Sequence, residues 1–277
     1  MLIAQITDCH IVPRGELLAG RVDTAATLTR ALEHILAMSS RPDLVLATGD
    51  LVNDGRPEEY DHLVELLRLL DGIPLVAIPG NHDDRDQLRQ RFPGLPGPDE
   101  HQGRLDRVIE DHPVRVVAID TTEPGEHGGR IRADQMGWLD AVLASEPDRP
   151  TLIAQHHPPF ETGIGWMDDV GLEGADLEAE VLARHPHVVG VVAGHVHRLV
   201  MTRFGGTVAS CWPSTGAQVA LRLDGSRYQY ADEPAAVALH RWSPEGGLTS
   251  HLSPVVDAET WLPAWARAQL AELGEEM

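Results

Sequence analysis

Lysine is missing from the sequence: all 22 basic residues are arginine, against 43 acidic ones. The formal charge of −21 argues against a general nucleic-acid surface or an anionic-membrane partner. Most of that charge reads as a solubilising face. Where an acidic chain handles an anionic substrate, local positive charge must come from elsewhere, and bound metal ions would supply it. Cysteine is nearly as scarce. Cys9 and Cys211 cannot make a disulfide framework, so a reducing cytoplasm is the expected compartment. Aromatics are 4% of residues against 42% hydrophobic in all, so the core should be aliphatic. No apolar run approaches a membrane span, and Met1 to Ile6 is too short and uncharged for a signal peptide; it reads as a first strand.

What the chain repeats is an apolar run ending in a polar, metal-competent tip. The central tip is Gly80-Asn81-His82-Asp83, between a strand-like Ile73 to Ile78 and a helix-like Asp84 to Arg91. In open α/β sheets ligands bind at the carboxyl ends of strands, and a glycine there lets the backbone turn while amide and imidazole groups point into the crevice. Four segments share the pattern: Asp8-Cys9-His10, Gly49-Asp50, His156-His157 and Gly194-His195-Val196-His197. At 277 residues there is room for one large α/β domain, or for a core with a smaller appendage.

Strands are expected at Leu2 to Thr7, Leu44 to Thr48, Ile73 to Ile78, Arg104 to Glu110, Val114 to Ile119, Thr151 to Gln155 and Val188 to Val192. Helices fall between them. One is capped by Asp23 or Thr24, one runs from Pro57 to Leu70 with Glu58 and Glu59 in its first turn, and two cover Arg132 to Ser145 and Asp176 to His185. Phe92 to Gln102 and Gly163 to Gly174 read as loops, the latter carrying Trp166 and Met167. After His197 short strands alternate with turns, at Leu199 to Phe204, Thr207 to Cys211, Gln218 to Leu223, Arg227 to Tyr230, Ala236 to Trp242 and Leu248 to Leu252, and Trp261 to Leu273 reads as a closing helix. The expected organisation is a core over 1–200 and a C-terminal part, 201–277, that completes a second sheet and adds a small cap and the helix.

Two divalent cations held close together need a carboxylate between them, with imidazole and oxygen donors completing each shell. The tips supply Asp8, His10, Asp50, Asn81, His156, His195 and His197. In His195-Val196-His197, strand alternation would put both rings on one face, whereas a local turn would let each reach a different ion. Isolated histidines carry no such weight. His34, His62, His101, His112, His127, His185, His187, His240 and His251 are read as surface or satisfied core side chains.

The pattern Asp-X-His, Gly-Asp, Gly-Asn-His-Asp, His and Gly-His-X-His resembles the calcineurin-like metallophosphoesterase superfamily. Within it, the bacterial branch of class III cyclic nucleotide phosphodiesterases and glycerophosphodiesterases is most similar, over about the first 200 residues. Gly55 to Tyr60, His156 to Pro159 and Gly165 to Asp168 agree with that branch. The resemblance implies a four-layer αββα sandwich with a small strand-rich C-terminal cap. It implies two divalent ions, of Mn, Fe, Co or Zn, one held by Asp8, His10, Asp50 and His197 and the other by Asp50, Asn81, His156 and His195. His82 would face the phosphate and leaving group with Asp83 orienting it, and Asn81 and His82 would contact substrate; the Gly163 to Gly174 loop of this chain is expected to add Trp166. The implied reaction is hydrolysis of a small phosphodiester, of cyclic nucleotide or glycerophosphodiester type, by a hydroxide bridging the ions.

One departure from the branch matters. After Pro213-Ser214-Thr215 a histidine often reaches the site, and Ala217 stands in its place here. Recognition beyond the phosphate should then rest on apolar or stacking contact. The rival readings are a phosphomonoesterase or nuclease on the same site, and a non-catalytic scaffold of the same fold. Counterion release on a long duplex needs basic contacts, and a scaffold would be expected to have lost ligands that are all present here. The expected partner is a small phosphodiester substrate, with no stable nucleic-acid complex and no membrane attachment; a homo-oligomer is left open.

Overall fold

In the computed structural model, which describes residues 1–225, 228–259, 261–266 and 269, the N-terminal apolar runs form three parallel strands joined by helices. The order is β1 (Leu2–Ile6), α1 (Thr24–Leu36), β2 (Leu44–Thr48), α2 (Pro57–Leu67), β3 (Leu75–Ile78) and α3 (Arg85–Arg91). Local chemistry sets the helix starts. The Asp23 carboxylate accepts the Ala26 amide at 2.9 Å, Glu59 accepts the Arg56 and Asp54 amides at 3.0 and 2.9 Å, and Asp84 accepts the Gln87 amide at 2.8 Å.

The second half continues with β4 (Arg107–Ile109), β5 (Arg115–Ala118), β6 (Gly129–Arg130), α4 (Ala133–Ser145), β7 (Thr151–Ala154), the one-turn α5 (Gly165–Asp168), β8 (Leu172–Glu173), α6 (Ala175–Leu182) and β9 (Val188–Ala193). Then come β10 (Val200–Phe204), β11 (Thr207–Cys211), the short pair β12 (Gln218–Val219) and β13 (Tyr230–Ala231), and the long hairpin of β14 (Ala236–Ser243) and β15 (Gly247–Pro254).

Two main sheets result, with strand orders β15-β14-β1-β2-β3 and β10-β11-β9-β7-β5-β4. Alternation along the strands sorts the aliphatic residues into three buried layers. Ala4, Ile6, Val45 and Ala47 face Leu28, Leu32, Ile35 and Leu63 of α1 and α2. Ile3, Leu44, Leu46 and Val76 face Val116, Ala118, Leu152 and Val192 of the other sheet. Val117, Ile153 and Val191 face Leu139 and Leu143 of α4 and Val181 and Leu182 of α6. This is the expected four-layer αββα sandwich. Because β1, β2 and β3 are mutually parallel, as are β5, β7, β9 and β11, their carboxyl ends collect at one edge. Among the described residues no helix is long and apolar enough to cross a membrane.

The C-terminal part differs from expectation in where it adds strands. β10 and β11 extend the second sheet, but β14 lies antiparallel on β1 and, with β15, extends the first. The pairing is long-range, so a local pattern cannot reveal it. The strand expected at Gln218 to Leu223 is shorter, Gln218–Val219, with one further bond across, Ala220 N to Gln229 O at 2.9 Å. The loop from Gly163 to Gly174 contains α5 and β8, and the Pro57 helix passes into a 3-10 turn at Arg68–Leu70. Of the helix expected over Trp261 to Leu273, residues 264–266 and 269 are helical and 261–263 are not, while 267, 268 and 270–273 lie outside the described residues, as does Arg227 of the strand expected just before β13.

Candidate metal centre

Each sequence-predicted ligand follows a parallel strand: Asp8 and His10 follow β1, Asp50 follows β2, Asn81 follows β3, His156 follows β7, and His195 and His197 follow β9. Five of these seven have left-handed backbones: Asp8 (φ 50°), His10 (43°), Asp50 (49°), His195 (70°) and His197 (52°). Non-glycine residues rarely adopt that region, and where it clusters it marks a site rather than a turn. The motif glycines have a packing cause. A Cβ on Gly49 (φ 90°) would run into the His156 ring and lie 2.8 Å from the Gly80 backbone, and one on Gly194 would strike Thr7 and lie 2.7 Å from Asp8 Oδ2. The tips touch backbone to backbone, which brings their side chains together.

Two groups of buried side chains result. Asp8, His10, Asp50 and His197 have ligand atoms within 4.8 Å of one another, and so do His156, His157 and His195. Asp50 faces both groups, with Oδ2 3.5 Å from His10 Nε2 and Oδ1 3.4 Å from His156 Nε2. Backbone carbonyls turn the rings. His156 Nδ1 donates to Thr48 O at 2.9 Å and His197 Nδ1 to Ala217 O at 2.5 Å, which directs both Nε2 atoms inward. His195 is held the other way round, Nε2 donating to Val170 O at 3.0 Å. Such bonds are how proteins fix the tautomer of a metal-ligating imidazole.

The donor chemistry fits a cation. With its Nδ1 proton on Thr48 O, His156 presents Nε2 to two further acceptors, Asn81 Oδ1 at 3.1 Å and Asp50 Oδ1 at 3.4 Å. His197 Nε2 likewise faces Asp8 Oδ1 at 3.3 Å and His10 Nε2 at 3.2 Å. Lone pairs meeting lone pairs require positive charge between them, as a proton or as a metal ion. Burial would lower His156, but the Asp50 charge and hydrogen bond push it up to about 9. His197 is raised in the same way, by Asp8 against burial. Burial takes His10 down to about 3 and, with His157 and His156 adding, holds His195 well below the usual imidazole range. Burial alone would raise Asp50, yet His156, His82 and His10 keep it well below the usual carboxylate range. Carboxylate, imidazole and amide oxygen together suit a borderline divalent ion.

The remaining residues sort by contact. His82 stands at the rim with its side chain 30% exposed and Nε2 4.0 Å from Asp50 Oδ2. Its Nδ1 donates to Asn53 O at 2.5 Å. The group expected to orient it, Asp83, does something else: its carboxylate accepts the Gly80 amide at 2.9 Å, the Leu51 amide at 3.1 Å and the Tyr60 hydroxyl at 3.0 Å. Burial and the nearby Asp50 charge push Asp83 up to about 7 against those donors. It ties the Asp50 tip to the Asn81 tip, and its short side chain is turned back into the loop by the amides it binds.

His157, next to the candidate ligand His156, has both ring nitrogens engaged, with Thr121 Oγ1 at 2.8 Å and His127 O at 3.1 Å. His127, read from sequence as ordinary, reaches the site: its ring lies 5.8 Å from that of His82, and its Nδ1 is 3.4 Å from Asn81 Nδ2. A cavity of about 390 Å³ over the centre is lined by Trp166, as expected, and also by Tyr228 and Tyr230, which stand 5.5 and 6.4 Å from its ring. Sequence reading missed both tyrosines. Ala217 has a role that any residue could fill, since its carbonyl holds His197.

The sequence profile of the family described as Calcineurin-like phosphoesterase matches residues 1–199. A glycerophosphodiester phosphodiesterase of Enterobacter lignolyticus is 33% identical over 266 residues, 95% of this chain and 94% of the relative. A cAMP/cGMP dual specificity phosphodiesterase of Mycobacterium tuberculosis is 35% identical over 217 residues, 77% of this chain and 67% of the relative. Among solved structures, a dimetal phosphatase from Danio rerio shares the fold with a TM-score of 0.60 at 16% identity, over 92% of this chain and 99% of its own.

Proposed function

The chain belongs to the calcineurin-like phosphoesterase family, and we propose that it is a hydrolase of small phosphodiesters working with two divalent metal ions. The observation that carries the reading is Asp50, whose two oxygens face separate groups of buried ligands. Asp8, His10, Asp50 and His197 would hold one ion, and Asp50, Asn81, His156 and His195 the other; Mn, Fe, Co and Zn all suit such a set. Ions of this kind supply a polarised phosphoryl oxygen and a nucleophile at neutral pH.

The chain's own residues do the rest. His82, held through Nδ1 by Asn53 O, presents Nε2 at the mouth of the site, where a proton can pass to a departing alkoxide. Asn81 adds an amide oxygen beside His156 and an NH₂ toward His127. Trp166, Tyr228 and Tyr230 offer ring faces to an alcohol arm, and Met167 and Val219 keep the wall apolar. Asp83, Gly49 and Gly80 keep the tips in register. Cys9 and Cys211 are both buried and unpaired, which suits a reducing, cytoplasmic setting.

The test is a hydrolysis panel run with Mn: cyclic AMP, a glycerophosphodiester, an aryl phosphodiester and an aryl phosphomonoester. The diesters should give the higher kcat/KM. A preference for the monoester would contradict the reading.

A further inference from the structure

Two cavities meet at the metal centre. The smaller, about 390 Å³, is the aromatic one beside Trp166. The larger, about 1010 Å³, also opens from His10, His82 and His197. Tyr230 lines both, with its ring 6.3 Å from that of His197. A phosphate seated among the histidines does not need the larger space, which matches the upper end of pockets that bury a whole small molecule, about 300–1,000 Å³.

The wall of the larger cavity defines its occupant. Leu18 and Val22 contribute from the segment before α1, and Ala235, Val255 and Val256 from the C-terminal part, so much of the lining is apolar. Both arginines that line it face an acid: Arg21 pairs with Asp232, and Arg30 lies 3.7 Å from Asp257. Glu233, also on the wall, is matched by Arg198 at 2.7 Å. The wall therefore carries three acids, Asp232, Glu233 and Asp257, against two arginines, Arg21 and Arg30, a balance that repels a second anionic group and leaves an uncharged one unaffected.

We propose that this cavity is the subsite for the larger alcohol arm of the diester, an uncharged arm of about nucleoside size, with Tyr230 dividing it from the arm stacked on Trp166. The assignment rests on the phosphodiesterase reading and deepens it: a diester has two arms for two cavities, whereas a monoester has one.

Thymidine 5′-(4-nitrophenyl) phosphate and methyl 4-nitrophenyl phosphate share a leaving group and differ in the retained arm. With the Mn-loaded full chain, kcat/KM should favour the thymidine ester by about tenfold or more. Val22→Trp and Val256→Trp each narrow the cavity from a different segment, and either should cut that ratio by about fivefold or more. Thermal unfolding checks that the variants are folded. Calorimetric binding of the product, thymidine 5′-phosphate, should weaken in parallel. A 3′-phosphate added to the thymidine arm should lower kcat/KM, and a rise would overturn the uncharged class. A wild-type ratio near one, or a ratio and a binding constant that neither variant moves, would overturn the subsite. Hydrolysis of neither ester by the wild type would instead overturn the diesterase reading on which the subsite stands.

Discussion

Asp50 turns its two carboxylate oxygens toward two different histidines, Oδ2 to His10 Nε2 at 3.5 Å and Oδ1 to His156 Nε2 at 3.4 Å. The His82 amide donates to Oδ1 at 2.9 Å and fixes the rotation of the group. One residue at the end of β2 thus links ligands carried by both sheets.

His82 and the ligands should separate experimentally. His82→Ala removes no ligand, so metal content should hold while kcat on an alkyl diester falls by about a hundredfold. With 4-nitrophenolate as leaving group, which needs little protonation, the loss should be smaller. Equal losses for both substrates would assign His82 to phosphate binding without proton transfer.

Asp83 should behave as a tie between loops. Asp83→Ala leaves the Gly80 and Leu51 amides and the Tyr60 hydroxyl without their acceptor. The expected cost is on the order of 2–4 kcal/mol, seen as a lower Tm and weaker metal retention, with the dependence on leaving group unchanged. A normal Tm with an altered leaving-group dependence would show that Asp83 acts through His82 after all.

Trp166→Ala should lower kcat/KM for aryl diesters by about tenfold, the scale of one lost aromatic contact, and for small dialkyl diesters by less. Its ring is part of an aromatic wall with Tyr228 at 5.5 Å. Equal effects on both substrate types would make it a loop anchor only.

Glu178 gives a pH dependence that lies apart from the metal centre. It is fully buried on α6; among the described residues Gln155 Nε2 donates to its Oε2 at 3.3 Å and its Oε1 has no hydrogen-bond partner. Burial pushes its carboxyl up to about 8 despite the Gln155 bond. The folded state therefore favours the protonated form. Its contribution is fully present below the ordinary pKa of 4.5 and is lost as pH rises through about 8. Glu178→Gln should flatten the fall of Tm between about pH 5 and pH 8.5 and raise Tm most at the alkaline end. Parallel curves for wild type and variant would refute this.

Much of the candidate site's geometry could be read from the sequence because each candidate ligand follows a strand and each close approach needs a glycine: Gly49 before Asp50, Gly80 before Asn81, Gly194 before His195. What escaped reading depends on tertiary neighbours. His127 matters because the chain folds back beside His82, and Asn53 and Ala217 act through carbonyls that no residue type announces. Asp83 sits beside His82 in sequence, yet its partners are amides of two loops and the Tyr60 hydroxyl. In the fold, β14 looked like one more short strand of the C-terminal part; its pairing with β1, from Leu2 with Arg241 to Gln5 with Ala238, spans nearly the whole chain.

The most direct test is metal stoichiometry in the Mn-reconstituted chain and in Asp50→Ala, measured alongside diester hydrolysis. If Asp50 serves both ions, the wild type should hold about two equivalents and the variant should lose metal and activity together. A wild type that retains no more than one ion, or an Asp50→Ala chain with two ions and near-normal turnover, would contradict the account.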